Sequence, residues 1–253
     1  MSVKMDGMDY YTSNSLKKTN QHGNSLKKIH QHTKVHAVIL DMDGLMIDTE
    51  PLYKRAMQET AKNLGYDLTD AFMMSLVGRP DTDCRRLISN EFDDSFPHGL
   101  FWGQWPQIWR DIATSHGIAR KPGLDELLSA LANEGLPTAI ATSTYREQAD
   151  FSLNAAGVTH SFGHIVTGDQ VEHGKPAPDI FLEAARRLKV VPQHCIVLED
   201  SENGIRAAHA AKMFAIMVPD LIPPSEEIRN KANLVLNSLH DVRELLKNLS
   251  CES

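Results

Sequence analysis

The residues best suited to chemistry in this sequence are polar groups that follow apolar runs. Asp41 and Asp43 come after VHAVIL, Thr142 after LPTAIA, Lys175 in the loop after HIVT, and Glu199 and Asp200 after CIVL. If each run is a strand of one parallel sheet, these groups meet at the carboxyl edge, where open α/β sheets bind ligands. Several carboxylates gathered there would repel one another, so the pattern implies a divalent cation. Ligation by oxygen alone favours Mg²⁺.

A magnesium site with a lysine and hydroxyl groups beside it suits a phosphoryl group. The metal and the lysine would neutralise charge on the phosphoryl oxygens, and a carboxylate could attack phosphorus in line to form an acyl phosphate. Taken singly, each acid could instead be a loop residue or a helix cap. Their repetition at successive strand ends favours one shared site.

The elements that would position these groups alternate between strands and helices. Apolar runs of strand length lie at 35–40, 136–142, 164–167, 195–199, 214–218 and 234–236. Helical spacing appears between them in GLDELLSALANEG, PDIFLEAARRLK and SENGIRAAHAAK. Thr144 and Glu147 form a capping-box signature that predicts a helix running toward Gly157. The alternation predicts an α/β fold with a Rossmann-like, doubly wound parallel sheet.

Residues 51–117 interrupt this alternation with helical patterns alone. We expect them to form a small, inserted all-α cap domain over the carboxyl edge of the sheet, with the catalytic core at 35–50 and 118–253. The three tryptophans of this stretch, at 102, 105 and 109, have helical spacing. That spacing predicts core packing rather than a platform for a ligand.

Charge divides the 253-residue chain into two parts. Residues 1–34 carry six lysines and two acids, whereas the rest carries 20 basic and 31 acidic side chains. The acidic body argues against nucleic-acid binding, and the lack of a long apolar run argues against a membrane span. The basic segment repeats NSLKKTNQHG as NSLKKIHQHT. We interpret it as a disordered extension outside the catalytic unit; a metal-binding or polyanion-binding tail is the alternative.

Three widely spaced cysteines, at 84, 195 and 251, do not suggest a disulfide framework. Cys195 opens an apolar run and is predicted to be buried. The N-terminus lacks the apolar stretch of a secretory signal, so we expect a cytoplasmic protein. A monomer is compatible with all of these features.

The stretch DMDGLMIDTE at 41–50 resembles the first motif of the haloacid dehalogenase-like superfamily, Asp-x-Asp-Gly followed by Asp-Thr. Thr142, Lys175 and the Glu199-Asp200 pair fall where the second, third and fourth motifs of that superfamily belong. The resemblance covers residues 35 to about 245. It implies a Mg²⁺-dependent hydrolase with the Rossmann-like core predicted above.

The resemblance also implies a role for each acid. Asp41 would be the nucleophile that becomes a phospho-aspartate. Asp43 would be the general acid toward the leaving oxygen and then the general base for the attacking water. Asp41, the Asp43 carbonyl, Asp200 and Glu199 would hold the Mg²⁺. Dehalogenases of the superfamily lack the second acid of motif one, so Asp43 favours phosphate-ester chemistry.

Phosphate and substrate would contact the other motif residues and the insert. By the resemblance, Thr142 and the Ser143 amide would bind phosphate oxygens, and Lys175 would bridge phosphate and nucleophile. The insert resembles the small helical cap of the first subgroup, which closes over the sheet edge and contributes specificity residues. The further candidates for substrate contact are Thr144, Glu50, Tyr53, Gly78, Arg79 and Asp81. Arg79 could contact phosphate or hydroxyl groups, or could be a solvated loop residue.

Two branches of the superfamily resemble this chain most: β-phosphoglucomutases and small-metabolite phosphatases of the pseudouridine-5′-phosphatase type. The mutases carry a histidine where this chain has Tyr53 and an arginine where it has Asp81. Both departures favour a phosphatase of a sugar phosphate or nucleoside monophosphate. A phosphomutase, a non-catalytic protein that binds a phosphorylated metabolite, and an interaction module directed by the tail remain the alternatives.

Overall fold

The computed structural model describes residues 35–76, 81–92, 95–158 and 162–250, without the side chains at 81, 82 and 248–250. The basic repeat and Cys251 lie outside these residues. Cys195 is fully buried, as predicted, and burial raises the pKa of its thiol to about 11.

A sheet of six parallel strands forms the centre of the described structure, in the order β3-β2-β1-β4-β5-β6. The strands are β1 (Ala37–Leu40), β2 (Thr138–Ala141), β3 (His164–Val166), β4 (Cys195–Glu199), β5 (Phe214–Met217) and β6 (Leu234–Val235). Each apolar run that predicts a strand contains one, and the strand order reverses between β1 and β4. The predicted α/β, Rossmann-like parallel sheet is confirmed.

Ten α-helices accompany the sheet in the described residues. They are α1 (Glu50–Asn63), α2 (Asp70–Leu76), α3 (Asp81–Glu91), α4 (His98–His116), α5 (Leu124–Asn133), α6 (Arg146–Ala156), α7 (Asp179–Leu188), α8 (Glu202–Ala210), α9 (Glu226–Lys231) and α10 (Leu239–Ser250). None of the helices in this part of the chain combines the length and the apolar character needed to cross a membrane.

Side chains of β1 alternate between the two faces of the sheet. Val38 and Leu40 belong to a buried cluster that includes residues of α5, α6 and α10, whereas Ala37 and Ile39 belong to a second cluster with α7 and α8. All four are fully buried. Because helices cover both faces, the strands are continuous apolar runs instead of alternating apolar and polar residues.

The helices α1 to α4, which we call the helical insert (residues 50–116), lie between β1 and β2 in the chain. They have a buried cluster of their own, centred on Ala61, Leu68, Ile88 and Phe101. Trp109 of α4 is buried, while Trp102 and Trp105 are partly buried against apolar neighbours. The tryptophan stripe therefore packs as predicted. The exact domain bounds at 50/51 and 117/118 stay a prediction.

Candidate active site

The predicted site residues meet at the carboxyl ends of β1, β2 and β4. Asp41 directly follows β1 and donates its amide to Leu198 O of β4 (3.0 Å). Thr142 follows β2, and its amide donates to Val166 O of β3 (3.0 Å). Glu199 is the last residue of β4. The register of the parallel strands thus brings residues more than 150 positions apart in the sequence to one edge.

Lys175 lies at the centre of this edge, and its side chain is only 5% exposed. Its ammonium group donates to the Asp41 carboxylate, to Glu199 Oε1 (2.6 Å) and to the Ala141 carbonyl (3.0 Å). Burial alone would lower the pKa of Lys175, but the charges of Asp41 and Glu199 outweigh it and raise that pKa. The lysine therefore keeps its positive charge at neutral pH.

The negative charge of the surrounding carboxylates exceeds the single positive charge of Lys175. Burial raises the pKa of Asp41 to about 8; Lys175 opposes this shift, whereas the charges of Glu199 and Asp43 add to it. Burial, Glu199 and Asp41 likewise raise the pKa of Asp200 well above its ordinary value. A cation bound among them would relieve this repulsion and favour the ionised forms.

Three carboxylates form a group that could hold such a cation. Asp41, Glu199 and Asp200 each offer an oxygen, and these oxygens lie within 4.8 Å of one another. Carboxylate oxygens are donors that Mg²⁺ prefers, so the residues fit this ion. Gly44 has a positive φ of 82° beside them, and a Cβ at this position would overlap the Asp200 carboxylate. The glycine lets the loop after β1 approach Asp200 closely.

Asp43 has different surroundings from these three acids. Its Oδ1 accepts from the Thr49 hydroxyl (2.9 Å), and its Oδ2 accepts from the hydroxyls of Thr144 (2.7 Å) and Thr142 (3.4 Å). Burial raises the pKa of Asp43, and the hydrogen bonds from these threonines oppose the shift. A buried carboxyl group with a raised pKa is suited to donating and accepting a proton. Thr49 is not among the predicted site residues, although the Asp-Thr pair of motif one contains it.

Thr144 does not cap the helix that follows it, so the capping-box prediction is wrong. Helix α6 begins at Arg146, and Tyr145 precedes it as an N-cap without a side-chain hydrogen bond. The Thr144 hydroxyl instead donates to Asp43, and Glu147 pairs with Arg110 of the helical insert (2.8 Å). The helix itself is confirmed, and it ends at Gly157 in the left-handed conformation.

The first turn of α8 holds Glu199 in place. Glu199 Oε2 accepts from the amide (2.7 Å) and the hydroxyl (2.9 Å) of Ser201, while Oε1 faces Lys175. The same Ser201 hydroxyl accepts from the Gly204 amide (3.1 Å) and caps α8. A Cβ at Gly204 would overlap the Glu199 carboxylate. Ser201 and Gly204 are further site residues that the motif pattern does not identify.

Two predicted residues of the helical insert adjoin Asp43. Glu50 is the first residue of α1; burial raises its pKa, as do the charges of Asp43, Asp220 and Asp48. Tyr53 lies one turn later, stacked on Trp109 with ring centroids 5.3 Å apart, and is hydrogen-bonded to Gln148. Burial and the charges of Asp43 and Glu50 raise the pKa of Tyr53. The Tyr53 phenol is therefore neutral at physiological pH.

The other predicted contact residues are only partly placed by the structure. Ser143 is exposed at the sheet edge after β2. Gly78 and Arg79 lie outside the described residues, and Asp81 is described by its backbone alone, as the first residue of α3. Their predicted contacts with substrate stay predictions.

The two acids of motif one have different environments at the same sheet edge. Asp41 lies against a permanent cation and two further carboxylates, as a nucleophile that also binds a metal would. Asp43 instead accepts hydrogen bonds from three threonine hydroxyls, and its charge acts on Glu50 and Tyr53 of the helical insert. The site is thus equipped for group transfer to a carboxylate, followed by release to water.

Comparison with known proteins agrees with this geometry. Residues 38–218 match the family model described as haloacid dehalogenase-like hydrolase. The fructose-1-phosphate phosphatase YqaB of Escherichia coli is 34% identical over 182 residues, which are 72% of this chain and 95% of that protein. The probable pseudouridine-5′-phosphatase of Drosophila melanogaster is 34% identical over 221 residues, or 83% of this chain and 92% of that protein.

The chain is also similar to a longer relative and to a solved structure. The bifunctional riboflavin kinase/FMN phosphatase of Arabidopsis thaliana is 31% identical over 91% of this chain, and the match spans 56% of that protein's length. The crystal structure of β-phosphoglucomutase from Clostridium difficile has a TM-score of 0.66 and 26% identity, covering 86% of this chain and 98% of that one. The resemblance in the four sequence motifs is therefore accompanied by similarity in sequence and fold over most of the chain.

Proposed function

Because the chain belongs to the haloacid dehalogenase-like hydrolase family, we propose that it is a Mg²⁺-dependent phosphatase of a small phosphorylated metabolite, acting through a phospho-aspartate at Asp41. Its class, a phosphoric monoester hydrolase, agrees with its phosphatase relatives. The observation that carries the mechanism is the contact of Lys175 with both Asp41 and Glu199, beside an Asp43 held by threonine hydroxyls.

The first step transfers the phosphoryl group to the enzyme. A carboxylate oxygen of Asp41 forms a bond to phosphorus as the bond from phosphorus to the ester oxygen breaks. Asp43 gives its proton to that oxygen, and the alcohol leaves. Thr142, the Ser143 amide and Lys175 bind the phosphoryl oxygens in this proposal. The neighbouring charge of Lys175 favours the ionised, nucleophilic form of Asp41.

The second step returns the enzyme to its starting state. Asp43, now ionised, accepts a proton from a water molecule whose oxygen bonds to phosphorus. The bond from phosphorus to Asp41 breaks, and inorganic phosphate is released. The hydroxyls of Thr49 and Thr144 stabilise the ionised Asp43 between the two steps.

Asp41, Asp200 and Glu199, together with the Asp43 carbonyl, would hold Mg²⁺. When bound, the ion would offset the carboxylate charges and polarise the phosphoryl group.

The proposed substrate is a sugar phosphate or a nucleoside monophosphate. This class is supported by the E. coli and D. melanogaster relatives, which are named for fructose 1-phosphate and pseudouridine 5′-phosphate. Glu50 and Tyr53 adjoin Asp43 and would contact the leaving group. Gly78, Arg79 and Asp81 complete the proposed contacts on the strength of the sequence.

A phosphomutase is the second candidate, because the fold resembles that of a β-phosphoglucomutase. Tyr53 argues against it: a neutral phenol whose pKa is raised stands where the mutases carry histidine. Incubation with β-glucose 1-phosphate and the corresponding bisphosphate distinguishes the two. We expect free phosphate to exceed glucose 6-phosphate; dominant isomerisation would show a mutase.

The proposed function is tested with 4-nitrophenyl phosphate and then with a panel of phosphorylated metabolites. The purified protein should release phosphate with Mg²⁺ and lose this activity in EDTA. Binding of the metabolites without release of phosphate would instead show a non-catalytic binding protein. The panel also ranks sugar phosphates against nucleoside monophosphates by kcat/KM.

A further inference from the structure

The two chain segments that connect the helical insert to the core pair with each other. Ile47 and Arg120 form an antiparallel bridge. The Asp48 amide donates to Ala119 O (2.8 Å), and the Lys121 amide donates to Met46 O (2.9 Å). Residues 46–48 and 119–121 thus form a two-stranded ribbon, which we call the linker ribbon. Both connections of the insert pass through it.

Lys121 joins the linker ribbon to the core. Its ammonium group donates to Asp48 Oδ1 (3.1 Å) in the opposite segment of the ribbon and to Asp220 Oδ1 (2.6 Å) in the loop after β5. Lys121 is 18% exposed and Asp220 is 16% exposed, so solvent screens this pair only weakly. A charge-assisted contact of this kind restricts how the ribbon can lie on the core.

The same lysine is the counter-charge to a group of acids beside the reaction centre. Glu50, two residues after Asp48, experiences the negative charges of Asp43, Asp220 and Asp48, and Lys121 opposes them. Without the lysine, these carboxylates would present a more negative field to an anionic phosphate ester. Like charges near an entrance lower the local concentration of an anionic substrate.

We infer that Lys121 is a positioning residue: it fixes the linker ribbon to the loop after β5 and offsets the carboxylates around Glu50. The role in substrate capture rests on the proposed function; the role in fixing the ribbon does not. Neither role requires Lys121 to touch the reacting atoms.

The role of Lys121 in fixing the linker ribbon is tested by hydrogen–deuterium exchange on the full chain. This measurement does not depend on enzymatic activity. In Lys121→Met, amides in peptides covering 44–50 and 117–123 should exchange faster than in the wild type, while peptides from β4 and β5 should keep their rates. Lys62→Met makes the same change at an exposed lysine of α1 and should leave the ribbon unaltered. Unchanged ribbon exchange in Lys121→Met would refute the inference.

Substrate capture is tested by kinetics with 4-nitrophenyl phosphate. We expect Lys121→Met to raise KM about tenfold, with a smaller change in kcat, because the loss is electrostatic. Adding Asp220→Asn to Lys121→Met should lower KM again, since it removes one unopposed charge; a purely structural role predicts a further loss. Unchanged KM in Lys121→Met, or a higher KM in the double variant, would contradict this role. An inactive wild type would contradict the proposed function. Hydrogen–deuterium exchange would then still test whether Lys121 fixes the linker ribbon.

Discussion

The carboxylate of Glu199 packs directly against Gly204, leaving no room for a side chain at that position. Ser201, at the start of the same helix, donates two hydrogen bonds to Glu199, whose other oxygen faces Lys175. The first turn of α8 therefore determines where Glu199 lies, and Glu199 in turn helps to hold the lysine beside Asp41. Ser201, Gly204 and Glu199 are thus linked through Lys175 to the position of Asp41.

Gly204→Ala should displace Glu199 and so reduce activity. The added methyl group overlaps the carboxylate, and overpacking of this kind costs about 1–3 kcal/mol of stability. We expect kcat to fall more than tenfold, on the order of 1.4 kcal/mol in the activation free energy. Steady-state kinetics with 4-nitrophenyl phosphate and thermal unfolding measure the two effects.

Gly103→Ala is the matched control. Gly103 lies within α4, and a Cβ there meets nothing within 4 Å. This change should leave kcat intact and stabilise the protein by about 0.5–1 kcal/mol, because alanine favours helix more than glycine does. Equal activity in the two alanine variants would rule out the proposed role of Gly204.

Thr49→Val should alter the pH dependence of the reaction. The Thr49 hydroxyl lies 2.9 Å from Asp43 Oδ1 and lowers the pKa of that carboxyl group. Without this hydrogen bond the pKa of Asp43 rises, so the general acid stays protonated to higher pH. The basic limb of the pH profile of kcat/KM should therefore move to higher pH by about one unit. Thr114→Val, at an exposed threonine bonded to Arg110 O, should not move this limb. An unmoved or lowered limb in Thr49→Val would argue against Asp43 as the acid.

In the metal-free protein, the contribution of Asp41 to stability should fall as the pH rises from about 5 to 8. Burial raises the pKa of Asp41 from 3.8 to about 8, so over this range the folded state retains a proton that the unfolded chain releases. Asp41→Asn removes that titration. The Tm of the wild type in EDTA, relative to that of the variant, should therefore decrease with pH. A constant or increasing difference would mean that Asp41 is already ionised in the metal-free fold.

Mg²⁺ should stabilise the wild type but not Asp200→Asn. Binding to the folded state alone adds about 2.7 kcal/mol at a concentration one hundred times Kd. Asp200 contributes one of the three clustered carboxylates, so its loss should raise the Mg²⁺ concentration needed for half-maximal stabilisation at least about tenfold. Asp67→Asn, at an exposed acid, should respond like the wild type. Equal Mg²⁺ responses in all three proteins would place the metal elsewhere.

The convergence of Asp41, Thr142 and Lys175 can be predicted from the sequence because strand ends in a parallel sheet share one edge. The fold follows for the same reason, since the six apolar runs have strand length and the helical patterns lie between them. The sequence pattern does not show which way each side chain points or which group it contacts. Thr144 has the spacing of a helix cap, yet Asp43, about one hundred positions earlier, competes for its hydroxyl. The roles of Thr49, Ser201 and Gly204 likewise depend on contacts between separate segments.

Asp41 is the residue on which the proposed phospho-aspartate mechanism depends most directly. The decisive measurement is the rate of phosphate release from 4-nitrophenyl phosphate with saturating Mg²⁺ for the wild type, Asp41→Asn and the exposed-site control Asp67→Asn. We predict full activity in the control and a loss of at least about 10³-fold in Asp41→Asn, because an amide oxygen cannot take the place of the attacking carboxylate. Turnover by Asp41→Asn at the wild-type rate would contradict a phospho-aspartate mechanism.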